Sequence, residues 1–321
     1  MSRISRYQES IMKFIKNKSS INNIEDLQIR NNILEIISNS DHVVSILLLT
    51  ILNNQGKRNN DLTLHGYYIA SCIDFMMVIT KLLDDETYTK KYGATNIQKM
   101  INELISLINI CLSQNIEAIQ PHFTKEKILK IFHSCLLIIN KKMSKILSTD
   151  VLDLDKKIKT TDIIKCYFTD IQKIKSTISK LKQVKRSSLM NFIDNKYGSI
   201  CQISMKLGWL LAGSDEKNLT TIEKLGTIFA LIIKLSIDFT SLEDDIYKSD
   251  GYTKNYIVNY GFQNAFELFL ENKQKFIEGC IHLNIYTNTI KEIIDLIEDK
   301  IDEVIDKSSP DMKSHYTLDS V

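Results

Sequence analysis

Proline is nearly missing from this 321-residue sequence, which has only Pro121 and Pro310, and glycine is held to ten positions. Helices that either residue would interrupt are therefore free to run long. Charge of one sign is missing too: 41 basic and 39 acidic residues leave a formal +2. No global field draws nucleic acid or an anionic membrane surface, and neither is expected as a partner. No cysteines are spaced as CxxC. The six (Cys72, Cys111, Cys135, Cys166, Cys201, Cys280) stand far apart within apolar helical patterns and read as reduced core thiols. The six histidines show neither HExxH nor HxxxH spacing, which argues against zinc. A glycine-rich phosphate loop, a nucleophile elbow and a Ser/His/Asp arrangement are also missing.

Long apolar runs are lacking as well. Met1 to Ser20 has no signal-peptide core, and the longest runs, Val43 to Leu52 and Ile228 to Ile233, are too short to span a bilayer. The expectation is a soluble, intracellular, cytoplasmic protein with no membrane span. Ile, Asn and Lys are abundant, as in AT-rich genomes such as those of large DNA viruses or some protists.

With 44% hydrophobic residues the chain can bury one large core. Apolar residues recur every three or four positions, as in Ile101, Leu104, Ile105, Ile108, Cys111 and Leu112, while period-2 alternation is scarce. The pattern predicts helices near 5–17, 24–38, 41–53, 62–83, 96–118, 124–147, 161–182, 187–211, 219–247, 253–270, 273–282 and 287–306. The Lys-rich stretch from Lys156 to Arg186 reads as a solvated helix face, and Thr287 to Asp306 as an amphipathic packing helix. No linker divides the chain, so the expected organisation is one all-α domain over 1–307 with a polar tail over 308–321.

The most informative stretch is Lys196 to Asp245, where small residues sit at fixed offsets within a predicted helix pair. Gly208, Ala212 and Gly213 make a close-approach surface. Lys196, Gly198, Leu207-Gly208, Gly213 with Asp215-Glu216, and Gly226 fall without a gap on a pattern resembling that of the polyprenyl synthetases, the trans-isoprenyl diphosphate synthases. In the same register the family's second aspartate motif lands on Ile237, Asp238 and Ser241, and its glutamine on Lys234. Thr253 to Gly261 resembles a later threonine-containing segment. Upstream, Gly56-Lys57-Arg58 is similar to the family's anion-binding turn, with Asn60 and Asp61 in place of its second arginine and proline. Glu103 to Glu117 has the spacing of the first aspartate motif, with Ser106 in place of its histidine and Ser113, Gln114 and Glu117 in place of its aspartates.

That resemblance implies an isoprenoid-synthase-like helical bundle, a homodimer, and isoprenyl diphosphates as ligands. It implies condensation of isopentenyl diphosphate with an allylic diphosphate, assisted by Mg²⁺ bridged between two carboxylate clusters. A hard cation there would take up the charge that collects on the leaving diphosphate. On these terms Lys57, Arg58, Lys196 and Lys234 are candidate diphosphate holders, and Glu117 and Asp238 candidate metal ligands. Most of the family's aspartates are replaced. The alternative is therefore a catalytically inactive relative serving as a binding or partner subunit. Lys234 lies inside the apolar run Ile232–Ile237, where a lone lysine is costly to bury. An anionic ligand or Asp238 at i+4 would each account for it.

Overall fold

The computed structural model describes residues 2–56, 60–148, 152–158, 163 and 170–308, with side chains at 60–63 set aside. The chain divides into two compact units. Unit one is Met1–Leu147, Ser199–Gly226 and Leu283–Glu292; unit two is Ser148–Gly198, Thr227–His282 and Ile293–Val321.

Unit one holds α1 (Arg3–Lys18), α2 (Leu27–Ser38), α3 (Val43–Gln55), α4 (Asn60–Asp84), α5 (Glu86–Tyr92), α6 (Ala94–Ile119), α7 (Lys125–Leu147) and α10 (Ser199–Leu211). Unit two holds α8 (Ile171–Ile178), α9 (Arg186–Ile193), α12 (Leu242–Lys248), α13 (Tyr256–Tyr260) and α14 (Phe262–His282). It also holds an antiparallel ribbon of β1 (Leu154–Lys157) and β2 (Lys182–Val184). Helices α11 (Leu219–Thr240) and α15 (Asn288–Asp306) supply residues to both.

The all-α expectation is met, and the local chemistry explains the helix starts. Asp26 accepts from the backbone N–H groups of Gln28 and Ile29, Asp85 from Thr87, and Asn255 from Ile257 and Val258. Each cap satisfies donors that the first helical turn leaves unpaired. The centre of unit one is α3, whose residues from Val43 to Leu52 are all buried. Burying each Leu or Ile there contributes roughly 2 kcal/mol. Against it lies α10, where Ser204 donates to the Val44 carbonyl at 2.7 Å. A Cβ on Gly208 would come within 2.8 Å of the Leu48 carbonyl oxygen. Small residues one turn apart thus let the two backbones approach.

Several sequence expectations give way. Residues 86–92, left between the helices expected over 62–83 and 96–118, form α5, with Asp85 capping them. The helix expected over 161–182 is α8 alone among its described residues, and Lys182 begins a strand. The segment 253–270 is cut at Gly261, whose φ of +91° suits glycine, and α14 then runs unbroken to His282. The helix expected to reach 247 breaks at Ser241, where α12 turns by 73°. There Ser241 Oγ donates back to the Ile237 carbonyl at 2.8 Å and Thr240 Oγ1 to those of Ser236 and Ile237, a back-bonding that bends helices.

The five described cysteines are free and buried, and burial pushes the Cys135 and Cys280 thiols up to about 12. Cys166 and residues 309–321 lie outside the described residues. By length and composition Leu64–Asp84 of α4 is apolar enough to cross a membrane, which the run-length reading missed because Asp74, Thr80 and Lys81 interrupt the run. Most of that stretch is buried inside the protein, as expected of a core helix apolar on every side.

Candidate functional site

The candidate residues are best taken from Asp238 outward. It sits in the last turn of α11, wholly buried, so its carboxylate needs partners. Lys234, one turn earlier and 5% exposed, closes its ammonium onto Oδ1. The backbone N–H of Tyr256, at the start of α13, donates to Oδ2 at 2.8 Å. The Asn255 side-chain amide donates to the Asp238 carbonyl at 2.9 Å and to Asp245 Oδ2 at 2.8 Å. Ser241 Oγ lies 2.7 Å from that same Asp245 oxygen, so its one hydroxyl proton is shared between the Asp245 carboxylate and the Ile237 carbonyl. The bend at Ser241 is what brings Asp245 to Asn255. One amide thus bridges the backbone carbonyl of Asp238 and the carboxylate of Asp245.

Burial pushes the Asp238 carboxyl up to about 6, against the pull of the Lys234 charge and the Tyr256 N–H, with Asp245 adding to the rise. The Lys234 ammonium also lies 5.8 Å from the Tyr197 ring centroid. Both oxygens of Asp238 are occupied by protein donors. The neighbouring motif positions offer no substitute: Ile237 is apolar and 37% exposed, and Ser241 is turned to Asp245.

Lys196 lies in a single π-helical turn (Asp194–Gly198), is buried, and donates to the Ser148 carbonyl at 2.7 Å. Glu117, near the end of α6 in unit one, is exposed and makes no ion pair among the described residues. Its neighbours at the first motif are turned inward. Gln114 donates to Ser20 Oγ at 3.0 Å, and the buried Asn115 donates to the His65 carbonyl at 2.9 Å. Lys57 and Arg58 lie outside the described residues. Lys234 and Asp238 are thus brought into contact, and Lys196 belongs to the same unit.

Two polar clusters of unit one escaped the sequence reading. Lys142 of α7 meets Gln202 of α10 and Glu223 of α11, the latter at 2.6 Å, and Lys206 meets the other Glu223 oxygen at 2.8 Å. Burial would raise the Glu223 carboxyl, but the two lysines together hold it down at about 2. The second cluster joins His42 Nδ1 to Asp74 Oδ2 at 3.0 Å, with Ser45 donating to Oδ1 at 2.8 Å, all buried. Both gather polar residues from separate helices, which helical spacing alone cannot reveal.

Among the described residues no group of three His, Cys, Asp or Glu side chains is arranged to hold a metal ion. Of the six aspartate-motif positions only 117 and 238 carry carboxylates, and each oxygen of Asp238 already accepts from a protein donor. These residues do not fit a Mg²⁺ bridged between two clusters, which needs free hard oxygens.

Neither a family model nor a curated protein matches the chain by sequence. Solved structures do match it by shape. A geranyltranstransferase from Thermotoga maritima aligns over 94% of this chain and 99% of its own, at TM-score 0.60 and 12% identity. An FPP/GFPP synthase from Zymomonas mobilis aligns over 92% and 98%, at 0.58 and 12%. A geranyltransferase from Helicobacter pylori, complexed with magnesium and isoprenyl diphosphate, aligns over 94% and 99%, at 0.60 and 13%. The chain therefore has the trans-isoprenyl diphosphate synthase fold.

Proposed function

We propose that this protein is a non-catalytic relative of the trans-prenyltransferases: a helical binding or partner subunit that keeps their fold without the Mg²⁺-assisted ionisation of an allylic diphosphate. The observation that carries the reading is the closure of Lys234 and the Tyr256 N–H on the two oxygens of Asp238. Loss of a diphosphate leaving group needs positive charge free to meet it. Here the buried ammonium is already neutralised by the carboxylate that would have held the metal. Among the expected anion holders, Lys196 is buried and donates to a backbone carbonyl, and with Lys57 and Arg58 it makes up the remaining capacity to retain an isoprenyl diphosphate. A homodimer is part of the proposal, supported by apolar side chains left in solvent on α7, Leu129 at 67% and Leu137 at 55% exposed.

The test is turnover of isopentenyl diphosphate with dimethylallyl, geranyl or farnesyl diphosphate at high Mg²⁺ and high protein. No condensation product is expected with any of them. A product that disappears in Glu117→Gln would reverse the reading, since Glu117 is the one motif carboxylate without an ion pair among the described residues.

A further inference from the structure

Unit one also contains an open cleft of about 650 Å³ that uses none of the residues discussed above as candidates. Its walls come from distant parts of the chain: Arg3, Arg6 and Tyr7 on α1, Asn53 near the end of α3, Tyr67 on α4, and the segment 286–289 leading into α15. Two lining residues are arginines and none is Asp or Glu. Arg3 is held by Glu292, its backbone N–H donating to Oε2 at 3.1 Å and its guanidinium lying 3.8 Å from Oε1, so part of its charge is met there. Arg6 is exposed and makes no ion pair among the described residues.

The other walls are donors. Burial raises the Tyr7 phenol, against the opposing pull of a hydrogen bond with Asn53 and of the charges on Arg3 and Arg6. Burial raises the Tyr67 phenol likewise, against a hydrogen bond with Ser10. Both therefore stay protonated at neutral pH. The start of the 19-residue α15 adds its own positive end: Thr287 Oγ1 accepts from the Ile290 N–H at 3.3 Å, and no acidic residue stands in the first turn. The guanidinium of Arg6, with Arg3 lining the same cleft beside a helix N-terminus, suits a phosphate, and a wall of phenols, amides and hydroxyls suits an oxygen-rich body rather than a hydrocarbon. The volume is that of an ordinary small-ligand site.

We propose that this cleft binds a small phosphorylated ligand with a hydroxylated body, its phosphate held by Arg6 and Arg3 at the start of α15 and its hydroxyls by Tyr7, Asn53 and Tyr67. Isothermal titration of the full chain with ribose 5-phosphate, inorganic phosphate and ribose tests it, using wild type, Arg6→Gln, Arg3→Gln and Lys57→Gln. Ribose 5-phosphate should bind wild type and Lys57→Gln equally and at least tenfold more weakly to Arg6→Gln. Inorganic phosphate should bind more weakly than the sugar phosphate, and ribose not measurably. Because Arg6 is exposed, its variant should melt like wild type by circular dichroism, which separates lost binding from lost fold. Absent binding of ribose 5-phosphate, or binding unchanged in both arginine variants, overturns the site. Binding lost only in Lys57→Gln would move the anion to the turn at 56–58 and overturn it as well. The result is independent of prenyl transfer.

Discussion

Lys234 and Asp238 stand one turn apart on α11 and close on one another with 5% and 0% of their surface exposed, the second Asp238 oxygen taking the Tyr256 N–H. Removing Lys234 strands the carboxylate in the interior, which costs about 3–5 kcal/mol. At pH 7 Lys234→Met should lose about that much in urea unfolding, and Asp238→Asn, which mimics the neutral carboxyl that burial favours, should lose less. The double variant keeps an acceptor for the Tyr256 N–H and buries no charge, so its loss should fall short of the sum by more than about 1 kcal/mol. Additive losses would mean that the two side chains are not coupled.

That pair was one of two accounts open in the sequence, since a lysine inside an apolar run demands a partner and either an anionic ligand or Asp238 at i+4 would serve; the structure shows the second contact. The long helices were readable: the apolar period expected over 96–118 matches α6 at Ala94–Ile119. The β ribbon was not, since Leu154–Lys157 is exposed along its length and so shows no alternation of buried and exposed sides. Nor was the bend at Ser241, which no proline or glycine marks and which hydroxyl back-bonding produces. Asn255, the amide that joins Asp238 to Asp245, and the cleft residues from Arg3 to Thr289 come together only through tertiary packing.

The crossing of α3 and α10 predicts unequal penalties for two glycines. At Gly208 an added Cβ would lie 2.8 Å from the Leu48 carbonyl and 3.2 Å from Ile51 Cβ, and neither belongs to a mobile chain end. Gly208→Ala should cost about 1–3 kcal/mol, the usual range for overpacking. At Gly251 the φ is +76° but nothing lies within 4 Å, so Gly251→Ala meets only backbone strain of about 1 kcal/mol. Urea midpoints of the two variants give the comparison, and a Gly208→Ala protein as stable as wild type would refute the close approach.

The exposed leucines of α7 predict an assembly state. Leu129→Glu with Leu137→Glu places charge on a face that a dimer would dry, while costing the isolated subunit little because both positions are already in solvent. Light scattering after size exclusion should show wild type at twice the 37.0 kDa chain mass and the double variant at the chain mass, with similar melting temperatures. A monomeric wild type would remove the homodimer from the proposed function.

Two carboxylates with opposite perturbations predict pH dependences of opposite sign. Asp238 rises from its ordinary 3.8 to about 6 through burial, so between those values the folded state holds a proton that the unfolded chain has released. Its contribution is fully present below 3.8 and is lost as pH rises through 6, a change on the order of 3 kcal/mol for roughly two pH units. Glu223 feels burial as an upward push, but Lys142 and Lys206 hold it down at about 2, so its contribution is present above 4.5 and is lost as pH falls through 2. Measured by urea unfolding against Lys234→Met/Asp238→Asn, which carries neither charge of that pair, wild type should gain relative stability as pH is lowered from 7 to 4. Measured against Glu223→Gln, wild type should lose relative stability as pH is lowered below 4.5. If the first comparison also ran toward loss on acidification, Lys234 rather than burial would control Asp238. The buried carboxylate would then be a full ion pair across the whole physiological range.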